Sequence, residues 1–141
     1  MTSTIQSFAI LSQSQPDDPA RRLVLFGFRQ MGAHGLDDAC TAHAFVTAFG
    51  KDFRRPLILL RTLMMELSAA ATRPIRIAPW CCARMTPCEG ALIAALCKSL
   101  ESEGAANLLL ADMLGIRDAS GPLATATALA IAFADLGMPL N

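Results

Sequence analysis

A chain of 141 residues is long enough for one domain that folds around its own core without a metal or a disulfide. Its 12 basic and 12 acidic residues cancel, which removes the general attraction to phosphate that nucleic-acid binders use, and no basic stripe with interleaved aromatics restores it. Hydrophobic residues make up 53% and charged ones only 17%, with a mean hydropathy of +0.42, so self-association that hides apolar surface is expected.

The first 20 residues are rich in Ser and Gln and close on Pro16-Asp17-Asp18-Pro19, which predicts a flexible arm over 1–20 ahead of a single helical domain over 21–141. The arm lacks a basic start, and its apolar run Phe8-Ala9-Ile10-Leu11 is too short for a signal peptide. From Arg21 to Met31 the apolar residues suit a helix that stops around Gly32 or Gly35. A second helix starts near Asp37 and Asp38, whose carboxylates favour the positive end of the backbone dipole, and stops at Gly50.

A third helix, with Pro56 at its first position, is apolar nearly all round and belongs at the centre or in an interface. The alternating stretch Pro74-Ile75-Arg76-Ile77-Ala78-Pro79-Trp80 predicts a short extended segment, too Pro-flanked for a central strand. Thr86-Pro87-Cys88-Glu89 is a helix start in which Thr86 and Glu89 satisfy each other's backbone N–H. That helix ends before Gly104; a shorter one follows over about 105–114, and the last runs from Pro122 to Leu136, stopped by Gly137 and Pro139. The expected fold is all-α, a bundle or orthogonal array of about five to six helices.

No run reaches the roughly twenty apolar residues of a membrane span. Five cysteines, an odd number without a secretory signal, imply reduced thiols in the cytoplasm. The basic residues concentrate in 21–84, ten against four acidic, while 85–141 carries two against six, so the two parts are complementary within a subunit or between subunits, with binding of an anion by Arg54, Arg55, Arg73, Arg76 and Arg84 as the second reading.

Candidate chemistry gathers in Pro79-Trp80-Cys81-Cys82-Ala83-Arg84-Met85-Thr86-Pro87-Cys88-Glu89, which holds the only tryptophan and three of the five cysteines. A thiophilic ion such as zinc could draw on Cys81, Cys82 and Cys88, with Cys97, Cys40 and His43 as contributors from helices, the last two three apart on one helix face. Adjacent Cys81 and Cys82 point to opposite sides of an extended chain, and no Cys-x-x-Cys knuckle is present, so no cofactor is expected by default. Cys88 at a helix N-terminus near Arg84 is the thiol most prone to ionise, with Glu89 opposing. Arg61 and Glu66 on the apolar helix each need a partner, Asp38, Asp52 or Glu89 for the first and Arg84 or Arg76 for the second, as buried ion pairs or a ligand site. No nucleophile and base adjoin, and no glycine-rich phosphate loop follows a strand, so no catalytic residues are assigned.

The run Phe53-Arg54-Arg55-Pro56-Leu57-Ile58-Leu59-Leu60-Arg61, with Arg73-Pro74-Ile75 and Ala78-Pro79-Trp80-Cys81-Cys82-Ala83-Arg84-Met85-Thr86, resembles a family of small bacterial helical proteins of unknown function. The resemblance covers about residues 25–100, brings no activity, and implies that the Cys-Cys-x-Arg-Met-Thr pattern is a hallmark. The expected role is a non-catalytic homo-oligomeric interaction or small-ligand-binding module; the alternative is a cysteine-based metal-binding or redox-sensing protein.

Overall fold

The computed structural model describes residues 13–141 as an all-α fold, so most of the expected arm, residues 1–12, lies outside the described residues. The helices among the described residues are α1 (Pro19–His34), α2 (Ala39–Phe49), α3 (Arg54–Ala70), α4 (Pro87–Lys98), α5 (Glu103–Leu114) and α6 (Ser120–Asp135). A two-residue ladder pairs β1 (Gln13–Ser14) antiparallel with β2 (Arg84–Met85), Gln13 opposite Met85 and Ser14 opposite Arg84. The stretch before the tryptophan runs without helix or ladder, as its flanking prolines imply, and the strand β2 lies after the cysteine pair.

Local chemistry sets most boundaries. Asp18 caps α1 by accepting from the N–H of Arg21 at 3.0 Å, and Pro19 occupies the first turn, where a missing N–H is no loss. Asp38 caps α2, accepting from the N–H and the hydroxyl of Thr41 at 2.9 and 3.0 Å. Gly35 closes α1 with φ 105, a conformation that a side chain would strain, and its N–H reaches the Met31 carbonyl. Helix α3 begins two residues before Pro56, because a 3₁₀ turn over Gly50–Asp52 and helical backbone at Phe53 already start the coil. Pro56 still falls among the first four residues, whose N–H groups have no intrahelical acceptor.

Helix α3 packs along α6 and α4 along α5, with α1 laid against α2 and α3. A Cβ at Gly27 would lie 2.6 Å from Leu60 Cδ2, so the glycine admits the close crossing of α1 over α3. The core runs through Val24, Phe28, Leu60, Leu63, Leu67, Leu96, Leu110, Leu129 and Phe133. Of the two places expected for α3, the centre accounts for one side only: Leu57, Leu60, Leu63, Met64 and Leu67 face the core, while Ile58 and Met65 stand exposed.

The connection over 71–86 is fastened at both ends. Thr72 donates from its N–H to the Leu114 carbonyl at 2.9 Å and from its hydroxyl to Leu114 and Gly115, and Arg73 donates to the Asp112 carbonyl. These bonds occupy carbonyls that the end of α5 leaves without helical partners. Ile77 then lies over Gly32, whose missing side chain leaves the room, and Gln15 donates to the Ala83 carbonyl at 2.7 Å.

Candidate functional site

The helix start expected at Thr86 is present in full. The Thr86 hydroxyl accepts from the Glu89 N–H at 3.1 Å, and Glu89 accepts from the Thr86 N–H at 2.9 Å. Glu89 does more than cap, because it is wholly buried and faces Arg29, 1% exposed on the inner side of α1. Arg29 donates to both Glu89 oxygens, at 2.9 and 3.1 Å, and to the carbonyls of Cys82 and Arg84, at 2.8 and 2.7 Å. Glu89 also accepts from the Ala78 N–H at 2.9 Å. Two charges taken out of water survive only when their remaining donors and lone pairs are met, and here the loop backbone meets them.

The consequence is geometric. Cys82 donates its N–H to the Pro79 carbonyl at 2.9 Å, which makes Pro79–Cys82 a turn with Trp80 and Cys81 at its tip. Ala78 just before the turn is tied to Glu89 and Cys82 at its end is tied to Arg29. The turn therefore holds its tryptophan out, 64% exposed. Beneath it lies a groove of about 740 Å³ between α1, α2 and the C-terminal segment, lined by Leu23, Phe26, Ala44, Ala48, Trp80, Cys81 and Met138, with Gln15, Pro19 and Arg22. Replacing Thr86 by alanine removes the cap and the hydroxyl that donates to the Arg76 carbonyl at 2.7 Å. Denaturant unfolding should register a loss of about 1–2 kcal/mol; unchanged stability would detach the cap from the loop's anchoring.

The other candidates fall in separate places. Arg61 donates to the Leu36 carbonyl at 2.9 Å, fastening the α1–α2 connection, and does not pair with Asp38, Asp52 or Glu89. Glu66 accepts from the Thr125 hydroxyl on α6 rather than from Arg76 or Arg84. Arg84 lies in β2, exposed, its carbonyl bound by Arg29. Cys40 is exposed at the start of α2, with His43 one turn on. Cys81 opens into the Trp80 groove, whereas Cys88, half-buried, opens into a second cavity of about 310 Å³ beside Arg73, Arg76 and Asp112. Among the described residues no group of three or more His, Cys, Asp or Glu side chains is arranged to hold a metal ion, so Cys40, His43, Cys81, Cys82 and Cys88 form no joint centre there.

Cys97 on α4, which the sequence offers as a further contributor to a metal site, lies half-buried beside Arg21. Burial pushes it up from its ordinary value, against the opposing pull of the Arg21 guanidinium. Because the thiolate is the reactive form, alkylation at rising pH should label Cys97 later than exposed Cys40 and Cys81. Labelling of Cys97 together with those two at neutral pH would contradict its burial.

Residues 7–138 match a family described as a family of unknown function (DUF6628). The chain belongs to this family. No curated protein and no solved structure matches it. The family spans nearly the whole chain and carries no assigned activity. Among the described residues no helix is long and apolar enough to cross a membrane.

Proposed function

We propose that this chain is a non-catalytic, cytoplasmic binding module whose ligand element is the Trp80 groove. The observation that carries the reading is the exposed tryptophan pinned at the edge of an apolar groove by a buried ion pair. A tryptophan can bury on the order of 150–250 Å² of surface, so holding it in water forgoes a large hydrophobic gain that a bound ligand would recover. The groove's volume of about 740 Å³ falls in the range of ligand pockets, about 300–1,000 Å³. The five free thiols suit a reducing compartment. We also read Cys-Cys-x-Arg-Met-Thr as the hallmark of a bacterial family, since the Cys82 and Arg84 carbonyls and Thr86 form the shell of the ion pair.

Trp80 is the only tryptophan, so its emission reports on the groove alone. Titration with decanol, a neutral apolar probe, should give a saturable blue shift. Ala48→Phe, at an exposed position of the groove wall, should block it with the fold intact by far-ultraviolet circular dichroism. An emission spectrum that decanol leaves unmoved would overturn the reading.

A second property, self-association, is favoured by a separate face. Helices α3 and α6 are joined at their surface by the Arg55–Asp135 pair at 3.0 Å and by Glu66 with Thr125, and alongside this seam Ile58, Met65 and Ile131 are 56%, 55% and 40% exposed. A second copy laid on this face would cover them. The expected native mass is a multiple of 15.0 kDa, reduced by Ile58→Glu. A 15.0 kDa particle at tens of micromolar would remove this property.

A further inference from the structure

Resting on the groove reading above, we infer the chemical class of its ligand: a free amphipathic carboxylate, with an acyl-type tail in the groove and its anionic head at Arg22. Among the described residues lining the groove Arg22 is the only charged one. Its guanidinium makes no ion pair or hydrogen bond among the described residues, unlike those of Arg21, Arg29, Arg55, Arg61 and Arg73; the exposed Arg76 and Arg117 are unpaired as well, but Arg22 is the one that lines this groove. Asp18, one turn earlier, is occupied as the α1 cap and does not line the groove. A lone unmatched cation beside an apolar cleft is complementary to a single negative charge carried on an apolar body.

The arrangement along α1 separates the two ends. Gln15, Pro19 and Arg22 stand at the start of the helix, whereas Leu23 and Phe26 continue the floor toward the alanines of α2. From Pro19 to Phe26 the helix advances on the order of 10 Å, room for a medium-length acyl chain laid along it. Ala44 and Ala48 keep the α2 side low, so the tail meets methyl groups and the aromatic faces of Phe26 and Trp80 rather than bulky side chains. The head can take the bidentate hydrogen bonds that a guanidinium offers a carboxylate. No bond is made or broken in this role; the protein holds the molecule.

The experiment follows Trp80 emission during separate titrations with decanoate below micelle formation, with decanol below its solubility limit and with vesicles containing phosphatidylglycerol, for the natural chain and for Arg22→Gln. Arg22 is exposed and outside the core, so the variant should fold unchanged by circular dichroism. The natural chain should prefer decanoate by about tenfold or more, the worth of a charge-assisted hydrogen-bonded pair. Arg22→Gln should abolish that preference while leaving decanol affinity within about twofold, the head contact being gone and the tail contacts retained. Equal affinity for the two probes, with Arg22→Gln silent, would overturn the carboxylate and leave an apolar site. A response to neither probe would overturn the groove itself. A response only to vesicles containing phosphatidylglycerol would also overturn it, assigning the Arg22–Trp80 patch to a lipid surface.

Discussion

Arg29→Met should lower the unfolding free energy by about 3–5 kcal/mol, the largest loss expected from any single charged residue in the chain. The substitution leaves Glu89, 0% exposed, as a carboxylate without its counter-charge, and leaves the Cys82 and Arg84 carbonyls without their donor. The companion Arg29→Met/Glu89→Gln should be less destabilised than the sum of its two single changes, because a neutral amide tolerates burial and can still accept from a loop N–H. Denaturant unfolding measures the cycle. Strictly additive losses would mean that the two side chains act independently, against the bidentate geometry. Trp80 emission should shift with Arg29→Met in the folded state, since the turn loses the anchor at Cys82; an unaltered emission maximum would show that the turn holds without it.

The second large effect is expected at Phe133. Its ring is fully buried on α6 and meets Phe45 and Phe49 of α2 edge-on, with centroids 6.1 and 5.1 Å away. Truncation to alanine removes that packing and opens a void where α2, α3 and α6 meet, at a cost of about 3–5 kcal/mol. Leu108→Ala, at a position 71% exposed, should by contrast change stability by no more than about 0.5 kcal/mol. Thermal or denaturant unfolding of the two variants separates the cases. A Phe133→Ala loss below about 1 kcal/mol would place the core elsewhere.

The helices were legible because their signals are local. Thr86 and Glu89 lie three residues apart and cap each other, Asp38 reaches the adjacent turn, and Gly35, Gly50, Gly115 and Gly137 all take the positive φ that ends a helix or turns the chain after it. The start of α3 moved because the 3₁₀ turn before Pro56 leaves no composition signal. The ladder between Gln13–Ser14 and Arg84–Met85 is two residues long, below the length at which alternation can be read.

Half of the candidate site was visible. The Trp-Cys-Cys stretch and Glu89 stood out, and the structure places them in one loop and its helix. Arg29 did not, because its partner is 60 residues away and helix periodicity says only that it shares the stripe of Val24, Leu25 and Phe28. A charge on that buried stripe was the available signal. Gly27 and Gly32 read as ordinary helix residues, since their reason is tertiary: Leu60 and Ile77 occupy the space of a side chain. The groove was not legible at all. It depends on how α1 meets α2 and on the small size of Ala44 and Ala48, which matter only once the helices are packed.

Backbone amide NMR of the full chain during titration with decanoate reads out, residue by residue, whether the Trp80 groove is the binding element. Saturable shifts are expected at Leu23, Phe26, Ala44, Ala48, Trp80 and Met138, with the exposed face of Ile58, Met65 and Ile131 unaffected. Shifts confined to that α3–α6 face, or a spectrum that decanoate leaves unchanged, would contradict binding in the groove.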